Sequence, residues 1–251
     1  MKIIQKIISL TLSSLLVLGQ PFAYALPSGE QVQSGSASFD RSVANNLNIT
    51  TSDKVIVNYN SFNIAQPETV RFIQPSSSSI ALNRVVGGDP SSILGSLQSN
   101  GQVMLINPNG IIFGPNSSVD TGSFLASTLD ISNSDFLSGK YNFAQKGGYD
   151  PSYIINQGHI NASTVNGYVL LAAPLVVNEG TVNATTGSVN IAGTDQGTMS
   201  FDGRGLVNFA IPQVMGHRPG TVTVPTSAVS DIVKQVVNTK ALVEAGGIVE
   251  E

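Results

Sequence analysis

General acid–base chemistry in this chain would have to come from two histidines and sixteen acids. His159 lies between Gly158 and Ile160, and His217 lies between Gly216 and Arg218, in unrelated segments. Neither is spaced to orient a nucleophile, and no G-x-S-x-G elbow is present. The acids Asp120, Asp130, Asp135, Asp150, Glu179, Asp195 and Asp202 are scattered rather than clustered. Cysteine is absent, which excludes disulfides, thiolate zinc sites and a cysteine nucleophile. The reading is therefore no enzyme, no catalytic residue, no metal and no cofactor. The patterned polar residues are turn formers. In Asn107-Pro108-Asn109-Gly110, Asn suits the first turn position, Pro fixes φ at the second, Asn tolerates the third and Gly suits the last.

The elements that would position such turns are strands. Charged residues make up 11% of the 251, too few for the charged outer faces of a helical protein. The net charge of −4 provides no basic footprint, so no nucleic-acid partner is expected. Residues 1–25 read as a signal peptide. Lys2 and Lys6 precede an apolar run from Ile7 to Gly19, and Ala23 and Ala25 form an A-x-A-like site with cleavage after Ala25. Removing it leaves ten basic and sixteen acidic residues, a formal charge of −6.

Beyond the leader, apolar residues recur at every second position in short runs, a period-2 pattern that reads as half-buried strand: Val55, Val57, Tyr59; Val103, Leu105; Val169, Leu171; Val189, Ile191; Val222, Val224. Asn100-Gly101, Asn109-Gly110, Asn166-Gly167 and Gly147-Gly148 separate them. An internal repeat relates Ile155–Ala162 to Val177–Ala184, and Gly167–Ala172 to Gly187–Ala192, with Gly101–Leu105 as a third copy of the latter. A period near 20 residues predicts stacked coils rather than a closed barrel. At that period the chain allows on the order of ten coils and a rod of about 50 Å. Phe62, Phe72, Phe113 and Phe124 are expected in the core or a cap. Asn83, Asn156, Asn178 and Asn183 are expected as corner or ladder residues. Val229, Ile232, Val233, Val236 and Val237 predict a helix over 228–245.

Three runs carry a resemblance. Phe62-Asn63-Ile64 leads to Glu68–Pro75 and Ala81-Leu82-Asn83-Arg84-Val85. Asn100–Gly114 contains Asn107-Pro108-Asn109-Gly110. Gly122–Ile131 follows. Together they resemble the N-terminal secretion domain of filamentous-haemagglutinin-type exoproteins of two-partner secretion, over about residues 30–225. Some members carry an upstream Asn-Pro-Asn-Leu motif. Here Gly87-Gly88-Asp89-Pro90 is the nearest turn, which makes the chain similar to the high-molecular-weight adhesin branch. The resemblance implies an all-β, right-handed parallel β-helix, here 55–225. Residues 26–54, richer in Ser, Gly and Asn and outside the repeat, are expected as its N-terminal cap, and 226–251, with the short helix, as a helical or partly ordered C-terminal extension shielding the last open edge.

It also implies export through the Sec machinery and recognition by an outer-membrane barrel with periplasmic POTRA domains. Folding would then start at the cell surface, with adhesion to host-cell or bacterial-surface ligands as the outcome. Asn107, Pro108, Asn109 and Gly110 are the candidate transporter-recognition residues, and a purely structural corner is the other reading. Asn83 and Arg84 are candidate secretion-motif residues. The rival class is a β-helix that binds or processes polysaccharide, which would need clustered carboxylates.

Overall fold

The structure, a computed structural model, describes residues 25–146, 152–201, 207–210 and 243–245. Two antiparallel strands come first, β1 (Gln31–Ser34) and β2 (Ala37–Asp40). Six coils follow. The first contains β3 (Asn46–Thr51) and β4 (Val55–Tyr59). The second contains β5 (Thr69–Ile73), β6 (Ile80–Val85) and β7 (Ser91–Ile93). The third contains β8 (Ser96–Ser99), β9 (Gln102–Ile106) and β10 (Ile111–Phe113). The fourth begins with β11 (Ser118–Thr121) and β12 (Ser123–Ser127), leaves the stack through α1 (Asn133–Ser138) and β13 (Tyr141–Ala144), and returns as β14 (Tyr153–Asn156). The fifth contains β15 (His159–Ala162), β16 (Tyr168–Ala173) and β17 (Leu175–Asn178). The sixth contains β18 (Thr181–Ala184) and β19 (Ser188–Gly193). Then come β20 (Gln196–Phe201), β21 (Val207–Ala210) and β22 (Val243–Ala245).

The coils build three parallel faces. The first runs β3-β5-β8-β11-β15-β18, the second β4-β6-β9-β12-β16-β19, and the third β7-β10-β14-β17. At one end β2 pairs antiparallel with β3 and β1 with β4, so the two edges that the first coil would leave open are covered. Parallel stacking thus already includes β3, inside the stretch expected as the cap.

Side chains explain the stacking. On the second face, one inward column runs Val55, Ala81, Val103, Phe124, Val169, Val189. The next runs Val57, Asn83, Leu105, Ala126, Leu171, Ile191. The expected repeat partners therefore lie above one another: Val169 on Val189, Leu171 on Ile191, and Asn156 on Asn178. Phe62, Phe72, Phe113 and Phe124 are all buried in the core between the faces. Phe113 meets Phe124 edge to face at 5.9 Å.

Six coils, not ten, are present among the described residues, which at about 4.8 Å per rung gives a stack of about 30 Å. The sequence estimate overshoots because the coils are uneven. The step from Thr69 to Ser96 takes 27 residues. The step from Ser118 to His159 takes 41, because it contains the excursion through α1 and β13. The step from His159 to Thr181 takes 22.

The excursion was not expected from sequence. β13 pairs antiparallel with β20, and β20 with β21. Phe136, Phe143, Leu129, Ile131 and Met199 join a second apolar cluster on the outside of the second face, with Ile56, Leu82, Met104, Leu125 and Leu170. The second face is thus buried on both sides. In α1, Ser132 caps the start by accepting from the Asp135 amide, and Gly139 at φ 72° ends it.

Most of the segment 228–245, expected as a helix, lies outside the described residues. Its last three, Val243–Ala245, form β22, a parallel strand on β18. There β22 meets the open backbone edge that β18 presents on the first face.

Glycine is required where coils touch by backbone. A Cβ on Gly167 would lie 2.6 Å from the Gly122 carbonyl oxygen and 2.7 Å from that of Thr164. Neither oxygen can retreat without breaking a turn. Gly167→Ala is expected to cost about 1–3 kcal/mol, read as a lower urea midpoint.

Candidate functional site

The corner at Asn107–Gly110 joins the second face to the third, between β9 and β10. The Gly110 amide donates to the Asn107 carbonyl at 3.1 Å, closing a four-residue turn. Asn107 is fully buried and acts as its post. Its Nδ2 donates to the Asp89 carbonyl and to Ser91 Oγ, each at 3.0 Å. Its Oδ1 accepts from the Asn109 amide at 3.0 Å and from Asn109 Nδ2 at 3.1 Å. Asn109 Nδ2 also donates to the Gly87 carbonyl at 2.8 Å. The corner is therefore cross-linked to the Gly87–Asp89 turn one coil below.

Only Gly110 has positive φ, at 120°. Asn109, at the third turn position, contributes side-chain hydrogen bonds instead. Pro108 and Asn109 are half-exposed, and Asn107 and Gly110 are buried.

Asn83 and Arg84 sit together on β6 but point to opposite sides. Asn83 faces the core and is fully buried. Its Oδ1 accepts from the Tyr59 hydroxyl at 3.1 Å, and its Nδ2 donates to the Ala81 and Met104 carbonyls at 3.3 and 3.2 Å. Burial pushes the Tyr59 phenol well above its ordinary pKa, so it stays a hydrogen-bond donor.

Arg84 faces the outer cluster and is nearly as buried, with its side chain 11% exposed. Its Nε donates to Asp130 Oδ1 at 2.8 Å, Nη2 to the Ile131 carbonyl at 2.7 Å, and Nη1 to Asn133 Oδ1 at 2.9 Å and Asn58 Oδ1 at 3.3 Å. Asp130 also accepts from the exposed Lys146 at 2.6 Å. Arg84 thus ties the first coil, the second coil and the excursion together. Asp130, Ile131 and Asn133 lie 46 to 49 residues away within the excursion, so sequence reasoning missed them.

Polar ladders run along the stack. Asn156 Nδ2 donates to Asn178 Oδ1 at 2.8 Å, as expected for ladder residues. Asn183 donates to Asn161 at 3.2 Å, and Asn161 to Asp120 at 3.0 Å. Gln157 donates to Glu179 at 3.2 Å. His159 is exposed and stacks above Ser118 and below Thr181. His217 lies outside the described residues. Among the described residues, no group of three His, Asp or Glu is placed to hold a metal ion. No helix among them is long and apolar enough to cross a membrane.

A three-faced parallel β-helix with a stiff polar corner, lidded at one end, is a β-solenoid whose polar groups serve geometry. The chain belongs to the TPS secretion domain family, whose model matches residues 23–251. It is similar to the heme/hemopexin-binding protein of Haemophilus influenzae strain Rd, 33% identical over 189 residues, or 70% of this chain and 20% of that protein. A second heme/hemopexin-binding protein of Haemophilus influenzae is 35% identical over 113 residues, or 45% of this chain and 12% of that one. The matched stretch is thus a fifth or less of these relatives' length. Among solved structures, the HMW1 secretion domain of Haemophilus influenzae superposes with a TM-score of 0.69 at 35% identity, covering 74% of this chain and 48% of that one. This is a family of secretion domains, not of enzymes.

Proposed function

We propose that this chain is delivered by a cleavable leader and the Sec machinery. An outer-membrane barrel with POTRA domains then recognises it, and the folded coils start the β-helix at the cell surface. The observation that carries the recognition step is the split character of the Asn107–Gly110 corner. Asn107 and Gly110 are buried and hold the turn, leaving Pro108 and Asn109 presented on a rigid mount.

A rigid exposed turn binds with little ordering cost, which suits a recognition element. The templating step is supported by the far end of the stack. Among the described residues β17 and β19 have no further neighbour on their faces, and Asn178 Nδ2 is buried without a hydrogen-bond partner. A further rung would satisfy all three.

Pro108→Ala separates recognition from folding. It removes the exposed ring while keeping Asn107 and Gly110. Secretion with the cognate transporter is expected to fall severalfold, while the purified domain loses only about 0.4–1 kcal/mol, the cost of freeing the chain at this turn. Full secretion of this variant would remove the corner from the recognition surface.

We infer adhesion as the outcome for the exported protein. The relatives' names supply a second reading, capture of heme or hemopexin. The purified chain is expected not to bind heme in a titration, because among the described residues His159 is the one histidine and it is exposed. Saturable binding of heme would reverse this assignment. The polysaccharide reading is weaker, since Asp120 and Glu179 are engaged in amide ladders.

A further inference from the structure

Glu68 is the most buried acid among the described residues, at 2% exposure. It sits below β5, in the turn that follows Ala65. No lysine or arginine pairs with it among the described residues; their three ion pairs are Arg41–Glu30, Arg84–Asp130 and Lys146–Asp130. Buried carboxylates are ordinarily matched by a cation, because desolvation otherwise opposes the charge. Glu68 has two backbone donors instead. Oε2 accepts from the Ala65 amide at 2.8 Å, and Oε1 accepts from the Ala25 amide at 2.8 Å. The second is the informative one. Ala25 is the residue after which the leader is read to be cut, and its amide hydrogen bond spans 43 positions to reach Glu68.

The residues after Ala25 are held in place. The Leu26 side chain packs against the core. The Pro27 carbonyl accepts from Arg41 Nη2 at 2.7 Å. The Ser28 amide donates to the Ser61 carbonyl at 3.0 Å, and the Ser28 carbonyl accepts from the Asn60 amide at 2.9 Å. Glu68 is fixed as well, its amide donating to the Ala65 carbonyl at 2.7 Å and its carbonyl accepting from Ser96 at 2.9 Å. Hydrolysis of the peptide bond between Ala25 and Leu26 consumes one water. It gives a carboxylate on the departing Ala25 and an amine on Leu26 that takes up a proton. That nitrogen lies one residue step, about 3.8 Å between Cα atoms, from the amide that Glu68 already binds.

We propose that Glu68 is the seat of the mature N-terminus: the α-ammonium of Leu26 replaces the Ala25 amide on Oε1 and closes the base of the β-helix as an ion pair. This rests on the leader reading. Before cleavage the carboxylate has only neutral donors. After it, one of them is cationic, and charge-assisted hydrogen bonds are the stronger kind. The fully stable fold is therefore reserved for the processed chain, after the segment that must cross the inner membrane unfolded has been trimmed.

The test uses the exported full chain. Intact mass and N-terminal sequencing give the first residue, expected to be Leu26. The α-amine is then labelled by 13C-dimethylation and titrated by NMR. An ordinary α-amine titrates near 7.7–8.0. In the wild type the midpoint is expected about one unit higher, a tenfold preference for the charged form, and the displacement disappears in Glu68→Gln. Where Glu68→Gln does not fold, the same amine in denaturing guanidinium is the reference. Acetylating Leu26 is expected to lower the urea midpoint in the wild type but not in Glu68→Gln. A first residue other than Leu26 would sink the leader reading and the proposal with it. Leu26 first with an ordinary midpoint would sink the proposal alone.

Discussion

Arg84→Ala is expected to lower the unfolding free energy by about 3–5 kcal/mol, the usual cost of removing one partner of a buried ion pair. Three losses combine. Asp130, whose side chain is 5% exposed, is left with Lys146, which is 65% exposed and screened by solvent, and with the Ile131 amide. The Ile131 carbonyl and Asn133 Oδ1 lose their guanidinium donors. The excursion then loses its polar anchor to β6 and the base of the apolar cluster that contains Phe136 and Phe143. The measurement is a urea transition followed by far-UV circular dichroism. Arg84→Lys should recover little, because an ammonium cannot reproduce donors aimed at Asp130, Ile131, Asn133 and Asn58 together. Arg84→Met combined with Asp130→Asn should recover more, since it removes both charges and keeps the volume. If Arg84→Ala melts with the wild type, the excursion is held by its apolar contacts alone and Arg84 has no structural role.

That role shows where sequence reasoning stops. The stack is legible because each coil repeats the one beneath it: Ile155–Ala162 and Val177–Ala184 align residue for residue in two faces. The core is legible for the same reason, since period-2 spacing on stacked strands fixes which side chains meet. The excursion is not legible. Its residues belong to no repeat, and they pack against the outside of a face that period-2 spacing alone reads as buried on one side. A signal was present all the same. Val103-Met104-Leu105-Ile106 and Val169-Leu170-Leu171-Ala172 are unbroken apolar runs, the mark of strands covered on both sides. Those runs required a cover, and α1 and β13 are part of it. The number of coils escaped because it depends on connection lengths, which turn residues mark but do not measure. At the corner, residue types announced a turn. Which residues hold it and which are presented depended on neighbours in the coil below, at Gly87, Asp89 and Ser91.

Gly110→Val is the sharper test of that corner, and both stability and secretion are expected to collapse together. Gly110 has φ 120°, a region closed to β-branched residues. A Cβ there would also lie 3.2 Å from the Tyr153 carbonyl oxygen and 3.3 Å from its ring. Tyr153 opens β14, which pairs with β10, so it can yield only by shifting the third face. Backbone strain and overpacking each cost about 1–3 kcal/mol. Asn109→Val differs in kind. Its φ is not positive, so the loss is confined to hydrogen bonds to Gly87 and Asn107, each worth about 1 kcal/mol. The pair therefore separates geometry from surface. Gly110→Val should fail in the urea transition of the purified domain and in secretion with the cognate transporter. Asn109→Val should retain most of the fold, so any deficit in its secretion beyond the measured loss of stability belongs to recognition. If Gly110→Val is secreted at the wild-type level, the turn geometry is dispensable, and neither folding nor recognition depends on this corner.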